Sequence, residues 1–443
     1  MIIDKLHLNQ VRVFDSGVTF DLDDRMNLII GVNGSGKSTT LDVLRILLTQ
    51  VFSTVVPEYP HRAEDFGERD ITIGRDFLTA EAAFKIWGAP VSYTRNLPRE
   101  ESVPDEERVG KVRHQTIQTK DAKEWTSMEP SGPNSSSKIK EQIREKDETL
   151  LAIYFSPERS VVVRREPQHG SEKGGTAAAY ASALSSQKFN IKRFAAWMRV
   201  QERLMENESD QHGRRIEAVK QVIDRFLGRY ENLRSVKDED SPSLRIDLDD
   251  KTLDVEQLSD GERGILSLVL DITTRLAQAN PESSDPLDEK AVVLIDELEL
   301  HLHPGWQREI VDRLTRTFPN CQFICTTHSP QVISEIQPES LFVLSDPKDG
   351  VRVQRPGQAF GLDTNWILES LMGTEPRPSE TQQKIEEIEA FISEGKLEEA
   401  RTALEEFRRL IHGYDPKLSY LESKIENLES LADEANPQEP RTD

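Results

Sequence analysis

Eight residues near the start of the sequence have the types and spacing of a phosphate-binding loop. Residues 31–38 read GVNGSGKS and match the pattern G-x-x-x-x-G-K-[ST] in full. The glycines allow the backbone to wrap around phosphate groups, so that the N–H groups of residues 33–38 can point at oxygen atoms. Lys37 would place its charge between the β- and γ-phosphates of a nucleotide, and the Ser38 hydroxyl would bind Mg²⁺. The predicted nucleotide-binding residues of this loop are Asn33, Gly34, Ser35, Gly36, Lys37, Ser38 and Thr39.

A second segment brings two carboxylates to the end of a buried strand. Residues 291–297 read AVVLIDE, so an apolar run leads directly to Asp296 and Glu297. Beside a phosphate-binding loop, Asp296 would hold the Mg²⁺ and Glu297 would polarise the attacking water. Taken alone, the segment could equally be a strand capped by two solvated acids. The presence of residues 31–38 favours the catalytic interpretation.

Two further segments could contact an anion. Residues 258–264, LSDGERG, come just before a predicted helix, whose free N–H groups and positive dipole end attract negative charge. Ser259 also fits as the helix N-cap, with Glu262 completing a capping box, and one loop can do both. Residues 326–330, TTHSP, follow a predicted strand, where His328 could hydrogen-bond a phosphate or orient a water molecule.

The elements that must position these segments alternate between strands and helices. Apolar alternation and short apolar runs predict strands at 2–8, 11–14, 18–20, 27–30, 80–87, 152–155, 244–248, 291–295, 321–326, 341–345 and 351–355. Helical periodicity predicts helices at 37–49, 189–207, 213–230, 261–278, 304–318, 379–394, 396–412 and 416–432. Residues 165–186 are rich in glycine, alanine and serine and predict a loop. The fold class is therefore α/β.

Length and charge limit the classes of function. At 443 residues the chain is too long for one ordinary domain. Its 56 Lys and Arg against 79 Asp and Glu give a net charge of −23, so any nucleic-acid site must be a local basic patch. The sequence has no run of 18 apolar residues, no signal-peptide pattern, and only Cys321 and Cys325 as cysteines. We therefore expect a cytoplasmic protein with no membrane helix.

The order of the four motifs resembles the ABC-type ATPase head, in particular the branch that includes RecF, SMC and overcoming-lysogenization proteins. The segments at 31–38, 258–264, 291–297 and 326–330 follow that branch's order. The resemblance implies a P-loop NTPase of ABC-ATPase head type with a helical lobe and a C-terminal helical tail. It also implies ATP and Mg²⁺ as ligands and ATP hydrolysis as the activity. Arg12, in residues 8–14, matches an arginine that often approaches the nucleotide in this branch.

The same resemblance implies a site shared between two copies of the chain. ATP would lie between two heads, as a homodimer or a higher homo-oligomer. One copy would supply Lys37, Ser38, Asp296, Glu297 and His328, with Glu297, His328 and Lys37 as the catalytic residues. The other copy would supply Ser259, Gly261 and Glu262 in trans. One departure is that no glutamine follows the strand at 152–155, where Glu158 or Arg159 would have to take its place.

Shifts in composition and the positions of the motifs divide the chain into five parts. Residues 1–95 would be the first part of the head, 96–150 a polar insertion, and 151–250 the helical lobe with adjoining strands. Residues 251–363 would complete the head. Residues 364–443 hold 19 acidic and 9 basic residues and predict a helical tail, either solvated or used to dock a partner or build an oligomer.

Missing features narrow the branch. Residues 39–257 contain no sustained heptads, which argues against an SMC coiled coil, and residues 331–443 lack the clustered acids of a Toprim nuclease. We therefore expect no nuclease site in this chain. Residues 361–373 and 394–400 resemble the ATPase component of Septu-type and retron-linked anti-phage systems. That resemblance implies an ATPase that senses infection through a phage-derived trigger and gates a separately encoded effector, an HNH-type nuclease.

Two alternatives remain open at this point. A RecF-like DNA-repair ATPase acting on DNA ends or gaps would need a basic groove. The clustered candidates for such a groove are Arg164, Arg165, Lys192, Arg193, Arg214 and Arg215. The second alternative is a nucleotide-binding scaffold with negligible turnover, against which the complete motifs argue.

Overall fold

The protein is described by a computed structural model that covers residues 1–56, 59–86, 89–99, 149–160, 176–185, 190–207, 210–237, 242–345, 348, 350–411 and 413–435. The chain divides into two compact units, Met1–Ile367 and Leu368–Asp443. The predicted polar insertion lies mostly outside the described residues. At its predicted start, residues 96–98 continue a strand.

The first unit is built from three sheets. Within the described residues its strands are β1 (Ile2–Asn9), β2 (Val18–Asp21), β3 (Met26–Gly31), β4 (Phe77–Ile86), β5 (Ala89–Pro98), β6 (Ala152–Phe155), β7 (Tyr230–Lys237), β8 (Pro242–Leu248), β9 (Lys251–Asp254), β10 (Val292–Ile295), β11 (Gln322–Thr326), β12 (Leu341–Leu344) and β13 (Val353–Gln354). Its helices are α1 (Lys37–Val55), α2 (Thr176–Tyr180), α3 (Ile191–Asn207), α4 (Asp210–Leu227), α5 (Asp260–Ala279), α6 (Pro304–Thr317) and α7 (Pro330–Ile333), followed by α8 (Thr364–Ser370) at the unit boundary.

The central sheet has the order β13-β12-β3-β11-β10-β6. All its pairings are parallel except that of β12 with β13. Every residue of β3, β10 and β11 is buried, as expected for parallel strands that are covered on both faces. The carboxyl ends of parallel strands meet at one edge, and this arrangement places the residues after β3, β10 and β11 side by side. These three strands carry three of the four sequence motifs.

A four-stranded antiparallel sheet of order β2-β1-β4-β5 lies beside the central sheet. One buried side chain ties the two sheets together. The Gln322 amide accepts a hydrogen bond from the N–H of Ile3 (2.8 Å) and donates to the carbonyl of Ile3 (2.7 Å). It also donates to the carbonyl of Asp23 at 2.9 Å. A buried amide with all these bonds made is stable, because none of its polar atoms loses water without a replacement.

The third sheet, β7-β8-β9, packs with α3 and α4 and corresponds to the predicted helical lobe. The helices were predicted at nearly these positions, whereas β7 and β9 were not. In place of the strand predicted at 11–14, the chain makes a tight turn that is closed by a bridge between Val11 and Phe14. Gln10 and Arg12 have φ values of 58° and 51°, which no strand residue adopts. Of the loop predicted at 165–186, residues 165–175 and 186 lie outside the described residues. The prediction is wrong at 176–180, where alanines form α2, whereas 181–185 make turns.

The second unit contains α9 (Ser379–Ser393), α10 (Leu397–Ile411) and α11 (Pro416–Ala435). Its core is apolar and draws on all three helices: Ile385, Ile388, Ile392, Ala400, Leu404, Phe407, Leu418, Leu421 and Ile425. The Arg377 guanidinium forms a bidentate ion pair with Asp415 at 2.6 and 3.1 Å, and Asp415 also accepts a hydrogen bond from the N–H of Lys417. The acidic segment is thus a folded three-helix unit with its own core.

Within the described residues, no helix has the length and apolar character needed to cross a membrane.

Candidate active site

The glycine loop between β3 and α1 presents a helix N-terminus at the edge of the central sheet. Gly36 caps α1 with a φ of 102°, in the left-handed region that favours glycine. A β-carbon there would lie 2.6 Å from the Phe14 ring, so glycine is also required for space. The first turn of α1 contains no acidic residue, which leaves its positive end available to an anion.

Lys37 is buried and lies inside the curve of the loop. Its Nζ donates hydrogen bonds to the carbonyls of Gly31 (2.8 Å) and Val32 (2.9 Å). Burial lowers the pKa of Lys37, and the nearby carboxylates of Asp296, Glu299 and Glu297 partly oppose that shift. An anionic phosphate would replace weak carbonyl partners with a charged one.

The two predicted Mg²⁺ ligands lie in contact. The Ser38 Oγ donates to the Asp296 Oδ1 at 3.1 Å, across 258 residues of sequence. The Ser35 Oγ is buried without a hydrogen-bond partner at the base of the same loop, whereas Asn33 and Gly34 are exposed and Thr39 is half-buried. A serine hydroxyl in contact with a carboxylate is an oxygen pair that fits Mg²⁺, and the unsatisfied Ser35 hydroxyl is a second polar group of the loop that lacks a partner.

Thr326 organises the two acids and was not identified from the sequence. Its hydroxyl donates to the Asp296 carboxylate and accepts a hydrogen bond from the N–H of Glu297 at 2.8 Å. Glu297 has a φ of 53°, an uncommon conformation for a non-glycine residue. The chain therefore makes a sharp turn immediately after Asp296, and the Thr326 hydroxyl binds both residues of this turn. The sequence did indicate that a residue with a hydroxyl group ends β11, the strand that lies beside β10 and its two acids.

His328 lies at the same edge and is half-buried. Burial and the nearby charge of Lys37 lower its pKa, while the carboxylates of Glu299, Glu297 and Asp296 act in the opposite direction. A lowered pKa keeps the imidazole neutral near pH 7, so one ring nitrogen can accept a hydrogen bond while the other donates. The structure thus places Lys37, Asp296, Glu297 and His328 within electrostatic reach of one another.

Residues 258–264, which we call the signature segment, adopt the capping box that their sequence predicts. The Ser259 Oγ accepts from the N–H of Glu262 at 3.3 Å, and the Glu262 carboxylate accepts from the Ser259 N–H and Oγ at 3.0 and 2.7 Å. Tyr230 donates a further hydrogen bond to Glu262 at 2.5 Å. Partial burial favours the neutral acid, but the bonds from Tyr230 and Ser259 outweigh it, and the pKa of Glu262 lies below its usual value. The proposed role of Ser259, Gly261 and Glu262 in trans stays a prediction.

Arg12 is held by two carboxylates. Its Nε donates to Asp70 at 2.7 Å and its Nη2 donates to Asp42, in α1, at 2.6 Å. Arg12 therefore braces the turn at residues 10–14 against α1. Its predicted approach to the nucleotide stays a prediction, and it would require these pairs to open.

The residues after β6 and the basic residues of the lobe differ in exposure. After β6, Ser156 is buried and Glu158 is exposed, while the Arg159 side chain, Arg164 and Arg165 lie outside the described residues. Arg215 is only 4% exposed, with its Nη1 donating to Gln201, and Arg214 donates to the carbonyl of Pro281. Arg215 is therefore unavailable to a DNA backbone, whereas Lys192 and Arg193 of the same cluster are exposed.

Comparisons with known proteins place the motifs in a family. Residues 26–334 match the family described as "AAA domain, putative AbiEii toxin, Type IV TA system". "Retron Ec83 probable ATPase" of Escherichia coli is 27% identical over 428 residues, which cover 85% of this chain and 77% of that protein. "Septu protein PtuA" of Bacillus mycoides (strain KBAB4) is 35% identical over 118 residues, which cover 26% of this chain and 16% of that protein. These matches confirm the predicted resemblance to the ATPases of retron and Septu systems.

A solved structure of an SMC head bound to the C-terminal winged-helix domain of ScpA matches with a TM-score of 0.48 and 12% identity, covering 80% of this chain and 98% of that one. The predicted α/β fold class is confirmed, with the phosphate-binding loop following a central strand and helices at the C-terminus.

Proposed function

The chain belongs to this AAA-domain family, and we propose that it is an ABC-type ATPase that binds and hydrolyses ATP to gate a separately encoded effector in an anti-phage defence system. One observation carries the ATPase part of the proposal. Ser38, from the phosphate-binding loop after β3, contacts Asp296 at the end of β10, which is separated from β3 by β11, and Glu297 and His328 lie near them. This is the arrangement that phosphate transfer to water needs.

Each residue then has a defined role. The loop N–H groups and Lys37 bind the phosphates of ATP, and Ser38 and Asp296 would hold Mg²⁺, which when bound supplies positive charge to the phosphate oxygens. Glu297 orients the attacking water and takes its proton. The neutral His328 hydrogen-bonds the water or the γ-phosphate. The Thr326 hydroxyl keeps Asp296 and Glu297 in place.

The defence role rests on the two relatives and on the tail. The names of the E. coli and B. mycoides proteins link them to retron and Septu systems. The second unit exposes large apolar side chains beside its loop, Leu410, Tyr414 and Tyr420, which are 49%, 85% and 55% exposed. Exposed aromatic residues of this kind are typical of a protein contact. We assign the effector, an HNH-type nuclease, to this surface.

ATP would act as the switch. With ATP bound, the γ-phosphate bridges Lys37 of one copy and the signature segment of a second copy, as in other ABC-type heads, and the closed oligomer holds the effector inactive. Turnover of ATP or a phage-derived trigger would release the effector. A ligand can drive such a change because it binds the closed state better than the open one.

Two substitutions test the ATPase assignment. Lys37→Ala should abolish measurable nucleotide binding, because it removes the charge that faces the phosphates. Glu297→Gln should still bind ATP but hydrolyse it about 10²- to 10⁴-fold more slowly, the usual contribution of a general base. Radiolabelled ATP binding and phosphate release measure the two steps separately. Glu282→Gln, an exposed acid, is the matched control. Normal turnover by Glu297→Gln would reject the assignment of the base.

The gating role is tested by capture from the native host. Tagged Glu297→Gln protein with ATP and Mg²⁺ should retain a stoichiometric nuclease or toxin, identified by mass spectrometry, and Lys37→Ala protein should retain less of it. Recovery of DNA and recombination proteins without an effector would instead favour the repair alternative.

A further inference from the structure

Glu299 is an acid of the site to which the nucleotide motifs assign no role. It lies in the turn after β10, three residues beyond Asp296. The turn is closed by backbone hydrogen bonds from the N–H of Leu300 to the carbonyl of Glu297 (3.0 Å) and from the N–H of Leu302 to the carbonyl of Glu299 (2.9 Å). The position of Glu299 is therefore fixed by the same turn that positions Glu297.

Both oxygens of the Glu299 carboxylate bind the segment that carries His328. One accepts a hydrogen bond from the Thr327 hydroxyl at 2.6 Å, and the other accepts from the backbone N–H of His328 at 2.5 Å. Hydrogen bonds to an ionised carboxylate are about twice as strong as neutral ones. The Thr327 hydroxyl in turn accepts from the N–H of Ser329 at 3.0 Å, which extends the contact by one residue.

The carboxylate also contributes to the field at the site. Its charge opposes the lowering of the pKa of both Lys37 and His328. The other charged groups that face His328 are Lys37, Glu297 and Asp296. Replacing Glu299 therefore changes the position of the His328 backbone and the charge around its ring, and two variants can separate these effects.

We propose that Glu299 is a positioning residue that fixes Thr327 and His328 relative to Glu297 for ATP hydrolysis. The inference rests on the proposed ATPase function. Because the two hydrogen bonds of Glu299 join the turn after β10 to Thr327 and His328, a movement of that turn would also move His328. The same turn reaches the signature segment, because the carbonyl of His301 lies against Gly261.

Glu299→Ala removes both hydrogen bonds at once. We expect turnover to fall about 10²-fold, as for a misplacement of roughly 1 Å in a catalytic group. ATP affinity should not fall, because the change removes a negative charge that acts on Lys37. Glu299→Gln can still accept from the His328 N–H and can donate to the Thr327 hydroxyl, so it should recover much of the rate. Glu339→Gln, an exposed acid, is the matched control and should behave as wild type.

Two measurements without hydrolysis separate this inference from the ATPase proposal. In nucleotide-free protein, hydrogen exchange of the His328 amide should become faster in Glu299→Ala than in Glu299→Gln. An NMR titration of His328 should give a lower pKa in Glu299→Gln, because an attracting negative charge is lost, and a higher pKa in Lys37→Met, because a repelling positive charge is lost. Either result holds even if wild-type protein proves inactive.

The proposal is overturned by either of two combinations of results. If Glu299→Ala keeps the slow exchange of the His328 amide and wild-type turnover, the carboxylate does not position that segment. Equal loss of turnover in Glu299→Ala and Glu299→Gln, with the His328 amide still protected in both, would also overturn it, since the charge and not the positioning would then be what matters.

Discussion

A β-carbon built on Gly261 would lie 2.4 Å from the carbonyl oxygen of His301. A β-carbon essentially never comes this close to a non-bonded oxygen, and the obstacle is backbone, which cannot rotate away. His301 itself has a φ of 62°, so its carbonyl is fixed by an unusual turn. The signature segment and the turn after β10 therefore fit together only because residue 261 lacks a side chain.

Gly261→Ala should separate these two segments. We expect ATP binding by the loop to persist and turnover to fall at least about 10-fold, because the start of α5 must shift from its position. Gly213→Ala is the matched control. It lies in α4, outside the signature segment, with no contact closer than 3.9 Å at its β-carbon, and alanine there should stabilise the helix by about 0.5–1 kcal/mol. Phosphate release and thermal unfolding would be measured for both, and equal turnover in the two variants would contradict the importance of the contact.

Some residues of the candidate site could be predicted from the sequence and others could not. Lys37, Ser38, Asp296 and Glu297 belong to patterns whose chemistry dictates residue type, so their positions could be predicted. Thr326 and Glu299 act by hydrogen bonds to neighbouring segments. Such bonds depend on which strands lie side by side, and the order β3-β11-β10 is not written in any local pattern.

Among the helices and strands, a sequence pattern predicts those elements whose own burial or periodicity determines their structure. Buried strands such as β3 and β10 were predicted closely because a parallel strand that is covered on both faces is mostly apolar. The strand predicted at 11–14 failed because alternation of apolar residues also fits a tight turn whose two ends are buried, here Val11 and Phe14. The lobe strands β7 and β9 are short or polar, so their pairing, and not their own pattern, makes them strands.

The tail unit offers an element-scale prediction. Phe407 is 1% exposed in the core shared by α9, α10 and α11, and Leu410 on the same helix is 49% exposed. Phe407→Ala should cost about 3–5 kcal/mol, a large fraction of what a unit of this size can have. We therefore expect α9–α11 to become sensitive to proteolysis while ATP binding by the first unit is kept.

Leu410→Ala is the matched control for folding and a probe for docking. It should leave the three helices protected, because it removes an exposed side chain and creates no cavity. If the tail holds the effector, Leu410→Ala should weaken capture of the partner without changing proteolysis, whereas Phe407→Ala should change both. Full effector capture by a chain whose tail is digested would place the docking surface elsewhere.

At the scale of the whole molecule, charge opposes the assembly that the proposal requires. Each copy carries −23, and two such copies repel each other beyond the contact itself. The repulsion is screened beyond about 8 Å at physiological ionic strength, so short-range contacts to a shared nucleotide can overcome it. Under the proposed function, ATP would lie between Lys37 of one copy and Ser259 of the other, so closure of the two heads would depend on ATP.

Mixing two inactive variants tests whether the site is shared. Ser259→Arg blocks the signature segment but leaves the phosphate-binding loop and both acids intact. Glu297→Gln removes the general base but leaves the signature segment intact. A mixed dimer contains one intact site, formed by the acids of the first variant and the signature segment of the second. Combined in equal amounts before ATP is added, they should recover about a quarter of the wild-type rate, since half the dimers are mixed and each has one working site of two. Phosphate release that stays at the level of the separate variants would mean that each chain hydrolyses ATP alone. In that case the capping box at Ser259 would be the whole role of that segment, and the effector would have to be gated by changes within one copy.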